Sequence, residues 1–131
     1  MKKLILLSLI VLFLPVKSFS QYYNDFSKQD LEGDQVTLSK LLKKGPVMIS
    51  FWATWCAPCK EEMKKMQPLY EKYKSQGFTY VAINQDNQKS ISKVKAFISS
   101  NEYTFPVVLD IDKKIFQDYL GDGLPYSLII D

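Results

Sequence analysis

The chain has 131 residues, 47% hydrophobic and 14% aromatic, which suffices for one domain with a buried core and is too short for two. It has no His and no Arg, which removes Ser-His-Asp and Cys-His catalysis, most zinc sites and Arg-based reading of nucleic-acid bases. The formal charge of +3 rests on Lys2, Lys3 and Lys17; without them the chain is near neutral, and its scattered lysines describe a solvated surface, not a nucleic-acid partner.

Residues 1–20 read as a segment outside the core. Lys2 and Lys3 precede an apolar run from Leu4 to Leu14 broken only by Ser8. Pro15 ends it, and Ser18-Phe19-Ser20 puts small residues at the −3 and −1 positions before Gln21. That is the pattern of a secretory signal peptide. The run is shorter than the roughly 17 to 25 residues a spanning helix needs, which argues against an uncleaved anchor in the mature form. The residue just after the expected cleavage point is Gln21 and not Cys, which argues against a lipid anchor. The expected location is therefore extracytoplasmic, where disulfides persist.

Residues 21–45 look like an N-terminal extension, with Val36-Thr37-Leu38 after the turn-like Gly33-Asp34 and one helical turn over 39–44, stopped by Gly45-Pro46. Val47 to Trp52 is nearly continuous in apolar character, as in a strand covered on both faces. The spacing then predicts a helix over 58–76, ended by Gly77, with Cys59, Met63, Met66, Tyr70 and Tyr73 on one inward stripe and a kink at Pro68. Phe78 to Ile83 reads as a second strand. Ser90 is placed to cap a helix through Ser99, with Ile91, Val94, Phe97 and Ile98 on one face. Phe105 to Leu109 is extended, 113–120 a short helix, and Ser127 to Ile130 a last strand. The alternation implies an α/β sandwich with a partly parallel sheet.

Chemistry concentrates in Phe51-Trp52-Ala53-Thr54-Trp55-Cys56-Ala57-Pro58-Cys59. A strand delivers Cys56 to the start of a helix, where unpaired N–H groups and the positive end of the helix dipole favour thiolate over thiol. Pro58 suits the first turn, because its missing N–H is one the helix would leave unpaired. Cys59, one turn on, is placed to resolve a mixed disulfide formed by Cys56. As a mere staple the pair is poor: a four-residue loop contributes about 2 kcal/mol against about 4.7 for a loop of 100. A soft-metal site, such as Cu(I) held by the two Cys with Met63 or Met66, is the other reading, although the methionines fit a core more simply.

The run 51–63, Phe105-Pro106-Val107 before Asp110, and Gly123-Leu124-Pro125 before Leu128-Ile129-Ile130-Asp131 resemble the TlpA/ResA-like branch of extracytoplasmic thioredoxins. The resemblance covers residues 26–131, and the first motif is much the most specific. It implies a thioredoxin-like fold with an N-terminal extension and a thiol–disulfide oxidoreductase that needs no cofactor. In that role Cys56 is the nucleophile and Cys59 the resolving thiol. Pro125 is a cis-proline facing the pair. Leu124, Trp55, Ala57, Pro58 and Tyr126 border the substrate groove, with simple packing the other reading for Trp55 and Tyr126. Glu62 matches an acid that tunes the thiols; it lies about 60° from Cys59 on the helical wheel, whereas Glu61 points about 160° away. The same helix position also suits a solvated glutamate. Ser50 stands where cytoplasmic thioredoxins carry a buried Asp. Lys64 replaces the usual kinking Pro of the branch. The implied partners are disulfide-containing exported proteins, apocytochrome c thiols among them, with a membrane reductant upstream. The alternative is a non-enzymatic thioredoxin-like binding module. The branch continues beyond the equivalent of Asp131 with an edge strand and a helix. The expectation is thus a signal peptide over 1–20 and a C-terminally incomplete thioredoxin-like domain over 21–131, with a bare sheet edge and a bare apolar face.

Overall fold

A computed structural model of the chain describes residues 23–131; the expected signal peptide lies outside the described residues. A hairpin of β1 (Ser27–Gln29) and β2 (Gln35–Thr37) leads into α1 (Leu38–Leu42). There follow β3 (Val47–Trp52), α2 (Ala57–Tyr73), β4 (Thr79–Asn84), α3 (Ile91–Ser100), β5 (Val107–Leu109), α4 (Lys114–Asp118) and β6 (Tyr126–Ile130). The last four strands form one sheet in the order β5-β4-β3-β6, with β4 parallel to β3 and β5, and β6 antiparallel to β3. This is the mixed α/β sandwich expected from the alternation of elements.

The sheet is covered on both faces, which is why β3 and β4 lack the alternation of a half-solvated strand. On one face Val47, Ile49 and Phe51 of β3, with Val81, Ile83, Val108 and Ile130, pack against Phe26, Val36, Leu38 and Ile115 from the extension, α1 and α4. On the other, Trp52, Tyr80 and Ala82 pack against Cys59 and Met63 of α2 and Val94 and Ile98 of α3. The N-terminal extension, together with α4, therefore forms one of the two covering layers.

Several elements differ from expectation in their ends. The helix after the Cys pair stops as α-helix at Tyr73, and Lys74–Gln76 tighten into a 3₁₀ turn before Gly77. Pro68 sits inside α2 without interrupting it. The inward stripe holds for Cys59 and Met63, but Tyr73 is 36% exposed. Tyr73 and Met66 instead line an open groove with Met48, Leu69, Phe78 and Ile129, beside the edge strand β6. Ser90 makes no side-chain cap to α3. Asn87 does the capping, accepting the Lys89 N–H at 3.0 Å and opening a 3₁₀ turn over Gln88–Ser90.

Gly77 is where the chain turns from α2 into β4, and its φ of 96° lies in the left-handed region. A Cβ there would stand 2.0 Å from the Lys44 carbonyl oxygen. Gly77→Ala is expected to destabilise the domain by more than about 1 kcal/mol, read as a lower urea midpoint, because both conformation and space oppose the methyl. An unchanged midpoint would mean that the two loops part readily.

Candidate active site

β3 ends at Trp52, and the chain turns through Ala53-Thr54-Trp55 to reach α2. Asp86, 5% exposed, clamps that turn. Its carboxylate accepts the Thr54 N–H and the Thr54 hydroxyl, each at 2.7 Å, and the Asn84 side-chain amide at 2.8 Å. The Cys56 N–H then donates to the Ala53 carbonyl at 3.0 Å, closing the turn.

Cys56 occupies the N-cap of α2 and Pro58 falls in the first turn. The two cysteines are joined in a disulfide, with Cα atoms 5.3 Å apart. The Cys59 N–H also points at the Cys56 sulfur, at 3.3 Å. Cys59 is 1% exposed, its sulfur 4.0 Å from the Phe51 carbonyl oxygen. Around the pair the surface is open: Ala57 and Pro58 are exposed, and Trp55 is 71% exposed, unusual for so large an apolar side chain. The inner sulfur is thus sealed by the core while its partner lies at the mouth of the helix.

The Leu124-Pro125 peptide bond is cis, and Pro125 is exposed. Leu124 packs against both hydrophobic clusters, including the one that holds Cys56 and Cys59. Trp55 and Leu124 face each other across a small pocket whose walls include Gln85, Lys113 and Asp122. Tyr126, next in the chain after Pro125, does not line that pocket. Its ring stacks on Phe51 at 5.8 Å within the core, and its hydroxyl donates to the Tyr119 carbonyl at 2.9 Å.

Glu62 turns inward from α2, and Glu61 is exposed. The Glu62 carboxylate accepts hydrogen bonds from the hydroxyls of Ser50, Ser127 (3.0 and 3.1 Å) and Tyr80 (3.3 Å). Burial raises the Tyr80 phenol far above its usual range, and the Glu62 charge beside it adds to the rise, so Tyr80 stays protonated and donates. Of the soft-metal candidates, Met63 is sealed in the core near Cys59 and Met66 lines the groove. No group of three or more His, Cys, Asp or Glu that would hold an ion occurs among the described residues.

Sequence reasoning singled out Cys56, Cys59, Pro125 and Glu62; it did not foresee the contacts of Asp86 with Thr54 or of Ser127 and Tyr80 with Glu62. A signal existed for Ser127, a hydroxyl in an otherwise apolar strand two residues after Pro125. For Asp86 there was none, since its partner Thr54 is 32 positions away.

A thiol-disulfide oxidoreductase ResA of Bacillus cereus is 40% identical to this chain over 107 residues, 82% of the chain and 60% of the relative. The chain therefore spans about three fifths of the length of the curated relatives it matches. A thiol:disulfide interchange protein of the thioredoxin family from Chlorobium tepidum has a similar structure, with a TM-score of 0.73 and 27% identity, over 83% of this chain and 77% of that one. StoA of Bacillus subtilis superposes with a TM-score of 0.71 and 26% identity, over 84% of this chain and 81% of that one. The model of the AhpC/TSA family matches residues 20–131. With the Cys pair at a helix mouth and these relatives on a shared fold, the chain belongs to the AhpC/TSA family and carries a thioredoxin-like domain.

Proposed function

We propose that this protein is a thiol–disulfide oxidoreductase that reduces disulfides of exported proteins. The observation that carries the reading is Cys56 at the N-cap of α2, its sulfur facing the Cys59 N–H at 3.3 Å and bonded to a buried resolving sulfur. An N–H group and the helix dipole both stabilise negative charge on that sulfur once it is reduced.

In the forward direction the reduced pair meets a substrate disulfide. The Cys56 thiolate attacks one substrate sulfur, the substrate S–S bond breaks, and the other sulfur leaves as a thiolate that takes a proton from water. Cys59 then loses its proton to the Glu62 carboxylate, and its thiolate attacks the Cys56 sulfur. The Cys56–substrate bond breaks, and the second substrate sulfur leaves as a thiolate that takes the proton held by Glu62, restoring the carboxylate. Two electrons have passed from the dithiol to the substrate, leaving the Cys56–Cys59 disulfide. Trp55, Ala57, Pro58, Leu124 and Pro125 border the docked peptide, Pro125 beside the sulfurs. Gln85, Lys113 and Asp122 give the pocket between Trp55 and Leu124 a polar wall.

Residues 1–20 are the export signal in this reading, and residues 21–131 carry the domain. The partners are disulfide-containing exported proteins, with apocytochrome c thiols as one class and cytochrome c biogenesis as the setting. A membrane reductant restores the dithiol. Among the described residues, no helix is long and apolar enough to cross a membrane.

Equilibrating the chain with glutathione or dithiothreitol buffers tests the direction. A reversible two-electron couple at or below about −250 mV is expected for a reductase. A couple near −120 mV would make the protein an oxidant, and a pair that does not cycle would remove the enzyme reading altogether.

A further inference from the structure

Glu62 is held by three hydroxyls, one from each of three neighbouring strands: Tyr80 of β4, Ser50 of β3 and Ser127 of β6. Ser50 and Ser127 are directly opposed in the antiparallel register, and their hydroxyl oxygens lie 2.8 Å apart. Ser50 is 1% exposed and Tyr80 fully buried. No ion pair to Glu62 occurs among the described residues, so hydroxyls alone hold the carboxylate. Packing does not require this arrangement. Alanine would fill the serine positions of an apolar strand, and hydroxyls buried there without a partner would cost free energy.

Hydroxyls suit a carboxylate whose proton comes and goes. Each donates one proton and also accepts. Around an ionised Glu62 all three can donate. When Glu62 takes a proton, one serine can turn and accept it with no heavy atom moving. An ammonium group or a backbone N–H, which only donates, cannot serve both states.

We propose that Ser50 and Ser127, backed by Tyr80, are positioning residues of the redox site: they hold the Glu62 carboxylate where it takes the Cys59 proton as the mixed disulfide is resolved. The inference rests on the reading of Glu62 given above. It also gives β6 a second task. The strand that begins one residue after Pro125 carries Ser127, so the segment against which substrate docks continues into the support of the proton acceptor.

The steps separate in a quenched-flow experiment with the reduced chain and a symmetric peptide disulfide. Release of the first peptide thiol reads attack by Cys56, and release of the second reads resolution by Cys59. In Ser50→Ala/Ser127→Ala, attack should stay within about twofold while resolution slows about tenfold, the scale of a displaced catalytic group. Glu62→Gln should slow resolution at least as much, by about a hundredfold or more if general base catalysis is lost in full. Adding the serine changes to Glu62→Gln should then change resolution less than about twofold, because the serines act through the carboxylate. Ser127→Thr, which keeps the hydroxyl, should resolve near the parental rate. A misfolded variant would lose attack as well, so the first step is an internal control, and loss of attack in both Ser127→Ala and Ser127→Thr would assign Ser127 to the fold and sink the proposal. Parental resolution in the double alanine variant with slow resolution in Glu62→Gln would overturn the positioning role and leave Glu62 standing. An equal serine effect in both backgrounds would overturn it too. Parental resolution in Glu62→Gln would remove the reading of Glu62 and the proposal with it.

Discussion

Cys56→Ser is expected to abolish disulfide exchange, by a thousandfold or more (roughly, on the scale of removing a nucleophile from a covalent catalyst), while leaving the fold intact. Serine matches the cysteine in shape, and its hydroxyl can still accept the Cys59 N–H at the N-cap of α2, so little stability should be lost. What goes is the sulfur at the N-cap of α2, which is 5% exposed against 1% for Cys59 one turn further in. Cys59→Ser should behave differently. Cys56 still attacks, but nothing resolves the product, so a covalent protein–substrate disulfide should accumulate and survive denaturing electrophoresis without reductant. The two variants thus assign the order of events. If Cys56→Ser traps substrate and Cys59→Ser does not, the roles are reversed, and helix-mouth activation is not what selects the nucleophile.

Asp86→Ala is expected to cost about 3 kcal/mol of stability and to slow the attack of Cys56. The carboxylate is buried and accepts from the Thr54 N–H, the Thr54 hydroxyl and the Asn84 amide. Alanine strands three donors in a dry site, each carrying a desolvation cost of about 1 to 3 kcal/mol before relaxation and water entry reduce the sum. The released turn is the one that sets Trp55 and Cys56, so the rate of alkylation of Cys56 should fall with stability. Asp86→Asn keeps the shape and one oxygen and should lose about half as much. Urea melts and iodoacetamide kinetics check both effects. A variant that melts like the parent would mean that water replaces the carboxylate at no cost. A variant that is destabilised but alkylates normally would confine Asp86 to structure.

Much of the redox centre was legible in local sequence because its physics is local. A Cys-x-x-Cys pair after an apolar run and before a helix needs only the strand-to-helix transition to place one sulfur at the N-cap and the other one turn inward. The N–H contact to Cys56 and the burial of Cys59 follow from helical geometry alone. The same reasoning set Glu62 near Cys59 and Glu61 outward, since 100° per residue holds wherever the helix packs. The order of strands and helices was readable for a similar reason: β3 and β4 are apolar throughout because both faces are covered, and that composition is visible before any partner is known.

Local periodicity carried no information about which distant groups would meet. Nothing in residues 58–76 says that Tyr73 comes to rest in an open groove, because burial depends on what lies opposite and not on the helix itself. Asn87 outcompeted Ser90 as a cap because the chain tightens into a 3₁₀ turn first, an outcome set by how the loop leaves β4. The clamp of Asp86 on Thr54 joins the ends of parallel strands, whose crossover connection separates partners widely in sequence. The hydroxyl cradle of Glu62 depends on β6 pairing with β3 in the one register that opposes Ser127 to Ser50. A slip of one residue would turn Ser127 to the opposite face and leave the carboxylate without that partner. The placement of Cys56 and Cys59 is thus a property of a short segment, whereas the groups that hold Glu62 and the Thr54 turn come together only once the sheet has closed.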